Sequence, residues 1–299
     1  MKLIMFTDAA GTTRPGVIRG DEAVEIAGVS SIREVFEGGE AGMEAARLAN
    51  GRAFALADVR LRAPIIPKKL IHTSGNFREH EDESKNVNWS HEIAPWIVFY
   101  QNVDAIIGPN EPIVHPTHLT KELDHELELA VVMAKGGSNL SEEEAADYIG
   151  GFLIFNDITA RDIQRREMRS GVFSFCKSIE TFCPLGPWIV TPDEVGDPHT
   201  LEMCLRVNGE IRQKSNSSRM AVTLQELIAH HSPMRYSPGD VLTTGTVSGV
   251  AGFREDAEKW YLKPGDVVEC EIERVGIMSN PVISWEEAHG EPAPPFRSW

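Results

Sequence analysis

Cysteine is scarce. The four in 299 residues, Cys176, Cys183, Cys204 and Cys270, form no CxxC pair and no zinc-like spacing with histidine. This argues against a disulfide framework, and the four are expected as reduced, core-filling thiols of a cytoplasmic protein. Long apolar runs are missing too: none approaches the ~18 residues of a membrane span. The apolar run before Thr7 and Asp8 is too short for the h-region of a signal peptide. Basic charge is in deficit, with 29 Lys and Arg against 45 Asp and Glu and a formal net charge of −16. Neither nucleic acid nor a membrane is therefore an expected partner, since anionic polymers and surfaces are bound through clustered Lys and Arg. No GxSxG elbow, no GxGxxG after a strand and no phosphate-binding loop occurs, which argues against a serine hydrolase and a dinucleotide enzyme. No repeat of solenoid period is present.

What is there is the composition of a soluble globular chain, 41% apolar and 25% charged, long enough for a sizeable core. Residues 1–62 alternate short β-like pieces with a helix, "SSIREVFEGG", that Ser31 caps and the Gly pair ends. They read as a small N-terminal β/α domain. "RAPIIPKK" then connects to a main domain, 63–285, in which strand patterns dominate. Helices are expected at "SEEEAADYIGG", which opens with a capping box, at "ITARDIQRREMRSG", stopped by Gly171, and at "TLQELIAHHSP", ended by Pro233. Asn208-Gly209 marks a type I′ hairpin in "LRVNGEIRQ", and "SPGD" and "KPGD" are turns that each launch a strand. The fold class is mainly β with attached helices (α+β), mostly antiparallel. Residues 286–299 form a Pro-rich, irregular tail from which Phe296 and Trp299 can dock on a surface.

The stretch "LDHELELAVVM" (123–133) raises the chemical question. Read as one strand, it sets Asp124, Glu126 and Glu128 in a row just before a run that is apolar on both faces. Two carboxylates ~4 Å apart repel by roughly 4 kcal/mol at an effective dielectric of ~20. The row is tolerable if it lies on a solvated edge, if one acid is protonated, or if a divalent cation sits on it. "FLIFND" ends a buried strand on Asp157, which suits either a helix N-cap or a third ligand. Arg161 and Gln164 follow at i+4 and i+7, on the same helical face if the helix includes Asp157.

Seven collinear segments carry a family resemblance: "GNFREHEDE", "LDHELELAVV", "FNDITARDIQ", "FCKSIETFCPLGPWIVT", "VNGEIRQ", "YSPGDVLTTGTVSGV" and "LKPGDVVECEIERVG". From about Pro67 to Val282 the chain resembles the fumarylacetoacetate hydrolase family. The resemblance implies a catalytic domain of mixed, rolled β-sheet, a Mg²⁺ or Mn²⁺ site held by Glu126, Glu128 and Asp157, and a homodimer. Asp124 matches the pattern as well, and we expect it to make local hydrogen bonds rather than bind metal. By the same resemblance His80 is a general base oriented by Glu83 on a mobile lid, although "REHEDESKN" by itself also reads as a solvated loop. Arg161, Gln164 and Thr246 correspond to substrate-binding positions. Lys177 would bring charge to an enolate or oxyanion.

The implied substrate is a small-molecule 2-oxo acid. The expected reaction is metal-dependent hydrolysis of a C–C bond in a 2,4-dioxo acid of the acylpyruvate type, in aromatic catabolism. Oxaloacetate decarboxylation or tautomerisation, or hydration or isomerisation of an unsaturated 2-oxo diacid, are the alternatives within the family; a catalytically idle metal-binding scaffold is the alternative outside it. The chain departs from the family pattern at Phe77, where many members have Tyr, and at Gln101, where many have Lys. Arg165, Arg166 and Arg169 extend the helix after Asp157 and face either a second substrate carboxylate, solvent or a subunit interface. His230 and His231 are adjacent on a helix and diverge, and His115 and His118 are assigned to a loop.

Overall fold

The computed structural model describes residues 1–87 and 95–295. The first part supplies strands β1 (Lys2–Thr7), β2 (Thr13–Arg19), β3 (Glu22–Glu25), β4 (Ala53–Ala55) and β5 (Arg60–Arg62), and helices α1 (Ile32–Glu37) and α2 (Gly39–Arg47). Ser31 accepts from the Glu34 N–H and so caps α1. The Gly pair does end that helix, but Gly39 adopts positive φ and the chain restarts as α2, which the sequence reading did not foresee. Next come β6 (Leu70–Thr73), α3 (Arg78–Ser84), β7 (Val98–Tyr100), β8 (Ile106–Ile107), β9 (Ile113–His115), β10 (Leu123–Asp124) and β11 (Leu127–Met133). The remainder is α4 (Glu142–Ala145), β12 (Ile149–Asn156), β13 (Thr159–Ala160), α5 (Arg161–Glu167), β14 (Cys183–Val190), α6 (Pro192–Val195), β15 (Glu202–Val207), β16 (Glu210–Asn216), α7 (Leu224–His231), β17 (Val241–Thr243), β18 (Val267–Ile272), β19 (Gly276–Ser284) and α8 (Trp285–His289).

Among the described residues twelve strands form one sheet whose main path is β4-β3-β2-β1-β14-β12-β11-β17-β6-β7, five form a second, β16-β15-β18-β19-β9, and β10 pairs with β13. Pairing is antiparallel except at β8–β14, β17–β6 and β19–β9. The α+β class follows directly. β1 is hydrogen-bonded to β14, so the N-terminal segment continues the large sheet. Asn208 and Gly209 both have positive φ, as the expected hairpin turn requires, and the capping boxes at Ser141 and Thr223 are formed. α8, itself begun by a capping box at Ser284, crosses the start of the expected tail. Phe296 and Trp299 lie outside the described residues.

β11 and β12 explain the apolar run after the acids. Alternate residues enter two different cores. Leu127, Leu129, Val131 and Met133 join Phe152 and Ile154 in the larger core, which also takes in residues of the five-stranded sheet. Ala130 and Val132 join Leu153 and Phe155 in a second core with Ile32, Val35 and Phe36 of α1. The strands are apolar on both faces because both faces are covered.

Candidate active site

In the register of β11 on β12, Glu128 lies opposite Phe155 and Leu127 opposite Asn156. Glu128 and Glu126 therefore extend the row of Val132 and Ala130, while Asp157 extends the row of Leu153 and Phe155 on the same face. At this end the row changes from apolar to acidic. The Asp157 N–H donates to the Glu126 carbonyl at 2.8 Å, and the Glu126 N–H to Asn156 Oδ1 at 3.0 Å, which closes the two strand ends together. Glu126, Glu128 and Asp157 are all buried, and one carboxylate oxygen from each lies within 4.8 Å of the others.

Two expectations need correction. Residues 123–133 are not one strand: β10 pairs with β13 while β11 pairs with β12. Asp124 turns out of the row and accepts from the backbone N–H groups of His125, Ala251 and Gly252 and from Arg161 Nε, at 2.7–2.9 Å. Its local hydrogen bonds thus extend to a distant loop. Asp157 does not begin a helix either, since β13 intervenes and α5 starts at Arg161. Arg161 and Gln164 do meet, with Arg161 Nη1 donating to Gln164 Oε1 at 2.9 Å.

Two cations face the acids. Lys177 Nζ donates to Glu126 Oε2 at 2.9 Å and to Thr159 Oγ1 at 2.8 Å, and it also donates to Asp157 Oδ2. Its ammonium is thus spent on the carboxylates rather than left free beside them. Arg161 Nη2 lies 2.7 Å from Glu126 Oε1. Gly252 packs on the Arg161 stem so closely that a Cβ there would come within 2.8 Å of Nε. Gln101, which departs from the family pattern, donates to Asp157 Oδ1 at 2.6 Å, and the Gly245 N–H donates to Glu128 Oε2 at 3.1 Å.

The three carboxyls respond differently. Burial raises Glu126, but Lys177 and Arg161 outweigh it and bring its pKa down to about 2. Burial, followed by the charges of Asp157 and Glu126, holds Glu128 well above the usual carboxylate range. Burial also lifts Asp157, to about 6 even with Lys177 alongside. Four buried carboxylates, with Asp124 included, face two buried cations. With Glu128 and Asp157 ionised along with the other two, two negative charges would remain, which one divalent cation would balance. Hard oxygen donors in this number suit Mg²⁺ or Mn²⁺, so the residues present fit such an ion, with Glu126, Glu128 and Asp157 able to hold it.

The dyad comes from α3. His80 Nδ1 lies 2.8 Å from Glu83 Oε1, and Glu83 Oε2 accepts the Gly249 N–H at 2.7 Å. Gly249 has φ +108°, and a Cβ there would sit 2.1 Å from the Arg212 carbonyl oxygen, so glycine is required for that approach. The His80 ring packs on Phe253, centroids 5.0 Å apart. Phe77 is fully buried at the base of α3.

His80, the three carboxylates, Arg161, Gln164, Lys177 and Thr246 all line one cavity of about 180 Å³. Thr246 reaches it with its hydroxyl already committed, donating to the Leu127 carbonyl at 3.0 Å and accepting from Gln213 Nε2 at 3.0 Å. Sequence reasoning missed Gln213, Thr159, Gly249 and Phe253; only Thr159, two residues past Asp157, carried a positional signal. Arg165 is paired with Glu122, and together with Arg169 it lines a larger cleft of about 830 Å³ that shares Arg161 and Met168 with the 180 Å³ cavity. His230 and His231 end α7, His115 lies on β9, and His118 meets Trp285 edge-on; none of them lines the 180 Å³ cavity. The four cysteines are unpaired. Among the described residues, no helix is long and apolar enough to cross a membrane.

Comparison with known proteins adds names to the geometry. Residues 69–283 match the family model described as fumarylacetoacetate (FAA) hydrolase, C-terminal. Over 257 residues the chain is 39% identical to the mitochondrial oxaloacetate tautomerase fahd2 of Xenopus laevis, covering 84% of this chain and 78% of that protein. Among solved structures, 2-hydroxyhepta-2,4-diene-1,7-dioate isomerase from Mycobacterium marinum superposes with a TM-score of 0.76 at 31% identity, over 95% of this chain and 99% of that one. Maleylpyruvate hydrolase from Sphingobium sp. SYK-6, in complex with manganese(II) and pyruvate, gives 0.75 at 30% identity, over 95% and 99%.

Proposed function

The chain belongs to the fumarylacetoacetate hydrolase family, and from that premise we propose that it is a divalent-cation-dependent enzyme that moves a proton at C3 of a small 2-oxo acid, with oxaloacetate as the best-fitting substrate. The observation that carries this reading is the small cavity joining the carboxylate cluster to the His80–Glu83 dyad. At about 180 Å³ it is smaller than the ~300–1,000 Å³ of sites that take drug-sized ligands, and it suits a short acid. The relatives named oxaloacetate tautomerase point the same way.

Glu126, Glu128 and Asp157 would hold Mg²⁺ or Mn²⁺, which when bound polarises the 2-oxo carbonyl and favours negative charge on its oxygen. With its Nδ1–H donated to Glu83, His80 keeps an Nε2 lone pair to take the C3 proton. Glu83, fixed by the Gly249 N–H, holds the ring in that tautomer and stabilises the imidazolium that forms. Lys177 and Arg161 keep Glu126 ionised as a ligand. Gln164 and Thr246 complete the substrate-facing wall. The proton returns from His80 to the 2-oxo oxygen, giving the enol, or the sequence runs in reverse.

Hydrolysis of an acylpyruvate-type 2,4-dioxo acid, the reaction expected from the sequence, is our second reading. The likeness to maleylpyruvate hydrolase favours it, and the same dyad would activate water. We rank it second because the 39%-identical relative is named for oxaloacetate rather than for an acylpyruvate. Both readings keep the expected homodimer and cytoplasmic setting.

The test is to strip divalent ions with EDTA, restore Mg²⁺ or Mn²⁺, and follow enol absorbance of oxaloacetate and of acetylpyruvate in parallel, with pyruvate release as the check. Metal-dependent relaxation of oxaloacetate enol without pyruvate release supports the first reading. Pyruvate from acetylpyruvate with no effect on oxaloacetate overturns it in favour of the second, and silence on both points to a larger or unsaturated 2-oxo acid before it points to the idle scaffold.

A further inference from the structure

The helix that carries His80 is tied down through residues the reaction does not use. Asn76 Oδ1 accepts the Val222 N–H at 3.0 Å, the Asn76 carbonyl accepts the Ala221 N–H at 2.7 Å, and Phe77 bridges to Met220. One residue before His80, both carboxylate oxygens of Glu79 are engaged, one by the Ser215 hydroxyl and the other by Arg219 Nε. Glu79 is largely shielded, with 14% of its side chain exposed. Glu79 and Glu83 are four apart and share a face of α3. One is anchored on β16 and the turn after it, the other on the Gly249 N–H. Two anchors one turn apart fix the orientation of a helix as well as its position.

β16 also reaches the other half of the site. Gln213 and Ser215 are two apart on this strand and both are buried, so they project from the same side. Gln213 Oε1 accepts the Leu127 N–H at 2.9 Å, at the start of the strand that carries Glu128. Its Nε2 donates to Thr246 Oγ1 at 3.0 Å and to the Val247 carbonyl at 2.7 Å. Successive inward residues of one strand thus grip the carboxylate strand and the dyad helix.

We infer that Glu79 is a positioning residue: with Ser215 and Arg219 it sets where His80 stands relative to Glu126, Glu128 and Asp157, and Gln213 holds the fixed end of that spacing. The inference rests on the proton-transfer role given to His80. The experiment uses the full chain saturated with Mg²⁺. It compares wild type with Glu79→Ala, Glu79→Gln and Arg219→Met in oxaloacetate turnover, Mg²⁺ titration and amide hydrogen exchange over residues 78–84.

Glu79→Ala is expected to lower kcat/KM by about a hundredfold, to speed exchange in α3, and to leave Mg²⁺ affinity within about twofold. Glu79→Gln, which keeps the Ser215 contact, loses less. Arg219→Met added to Glu79→Ala costs little more, because both act on one contact. A kcat/KM within about twofold of wild type, or unchanged exchange in α3, overturns the inference. Should the wild type fail to act on oxaloacetate, the proton-transfer reading falls, and the exchange measurement alone still decides whether Glu79 fixes the helix.

Discussion

The two ends of the β11–β12 pair present the same face of the same strands with opposite chemistry. At one end Ala130, Val132 and Leu153 share a core with α1, and at the other Glu126, Glu128 and Asp157 crowd together against Lys177 and Arg161. The apolar end stabilises the fold in the ordinary way. The acidic end is costly, and holds its geometry because the rigid pair delivers the carboxylates there. Stability and reactivity are separated by one step along a strand.

That separation can be broken from the acidic end first. Glu126→Ala or Asp157→Ala should abolish Mg²⁺ binding by calorimetry together with turnover; wild-type affinity in Glu126→Ala would remove the carboxylates from the site. His80→Ala should lower kcat by about 10²- to 10⁴-fold while Mg²⁺ titrates as in wild type, because the dyad comes from α3 and not from the strand pair. From the apolar end, Leu153→Ala should cost about 2–5 kcal/mol in denaturant unfolding with metal affinity unchanged. A large loss of metal affinity there would mean that the two ends are not separable.

The smallest effect concerns pH. Asp157 titrates at about 6 in the fold against an ordinary 3.8, so in EDTA the folded chain holds its proton more tightly than the unfolded one. The stability this gives is present below the ordinary value and is lost as pH rises through about 6. Metal needs the ionised carboxylates, so its affinity rises over the same interval. The gap in Tm between Mg²⁺ and EDTA should therefore widen from pH 5 to pH 7. A constant gap would show that Asp157 is not a ligand.

Much of the site was readable because its donors obey strand periodicity: Glu126 and Glu128 alternate, Asp157 ends a buried strand, and His80 and Glu83 are one helical turn apart. Their roles came from the family resemblance, since the same letters suit a solvated loop. What escaped has a common cause. Gln213 and Ser215 read as ordinary polar residues of a hairpin, and nothing local reports that they face the cavity's supports. The Asp124 contacts with residues 251 and 252 likewise join segments 127 and 128 residues apart. α2 was hidden by the Gly pair, which ends one helix and admits the next.

The Asn208-Gly209 turn acquires a meaning beyond that of a convenient hairpin. Between it and Gln213 the β15–β16 register slips by one residue at Arg212, and it is from that irregularity that residues 213 and 215 take their shared inward facing. A residue added before Arg212 enters a stretch where the ladder already carries an extra one, whereas a residue added between Gln213 and Ser215 would send one of the two side chains to the outer face. Tolerance to insertion here should therefore change at Gln213, a boundary for library design that composition and surface exposure would not suggest.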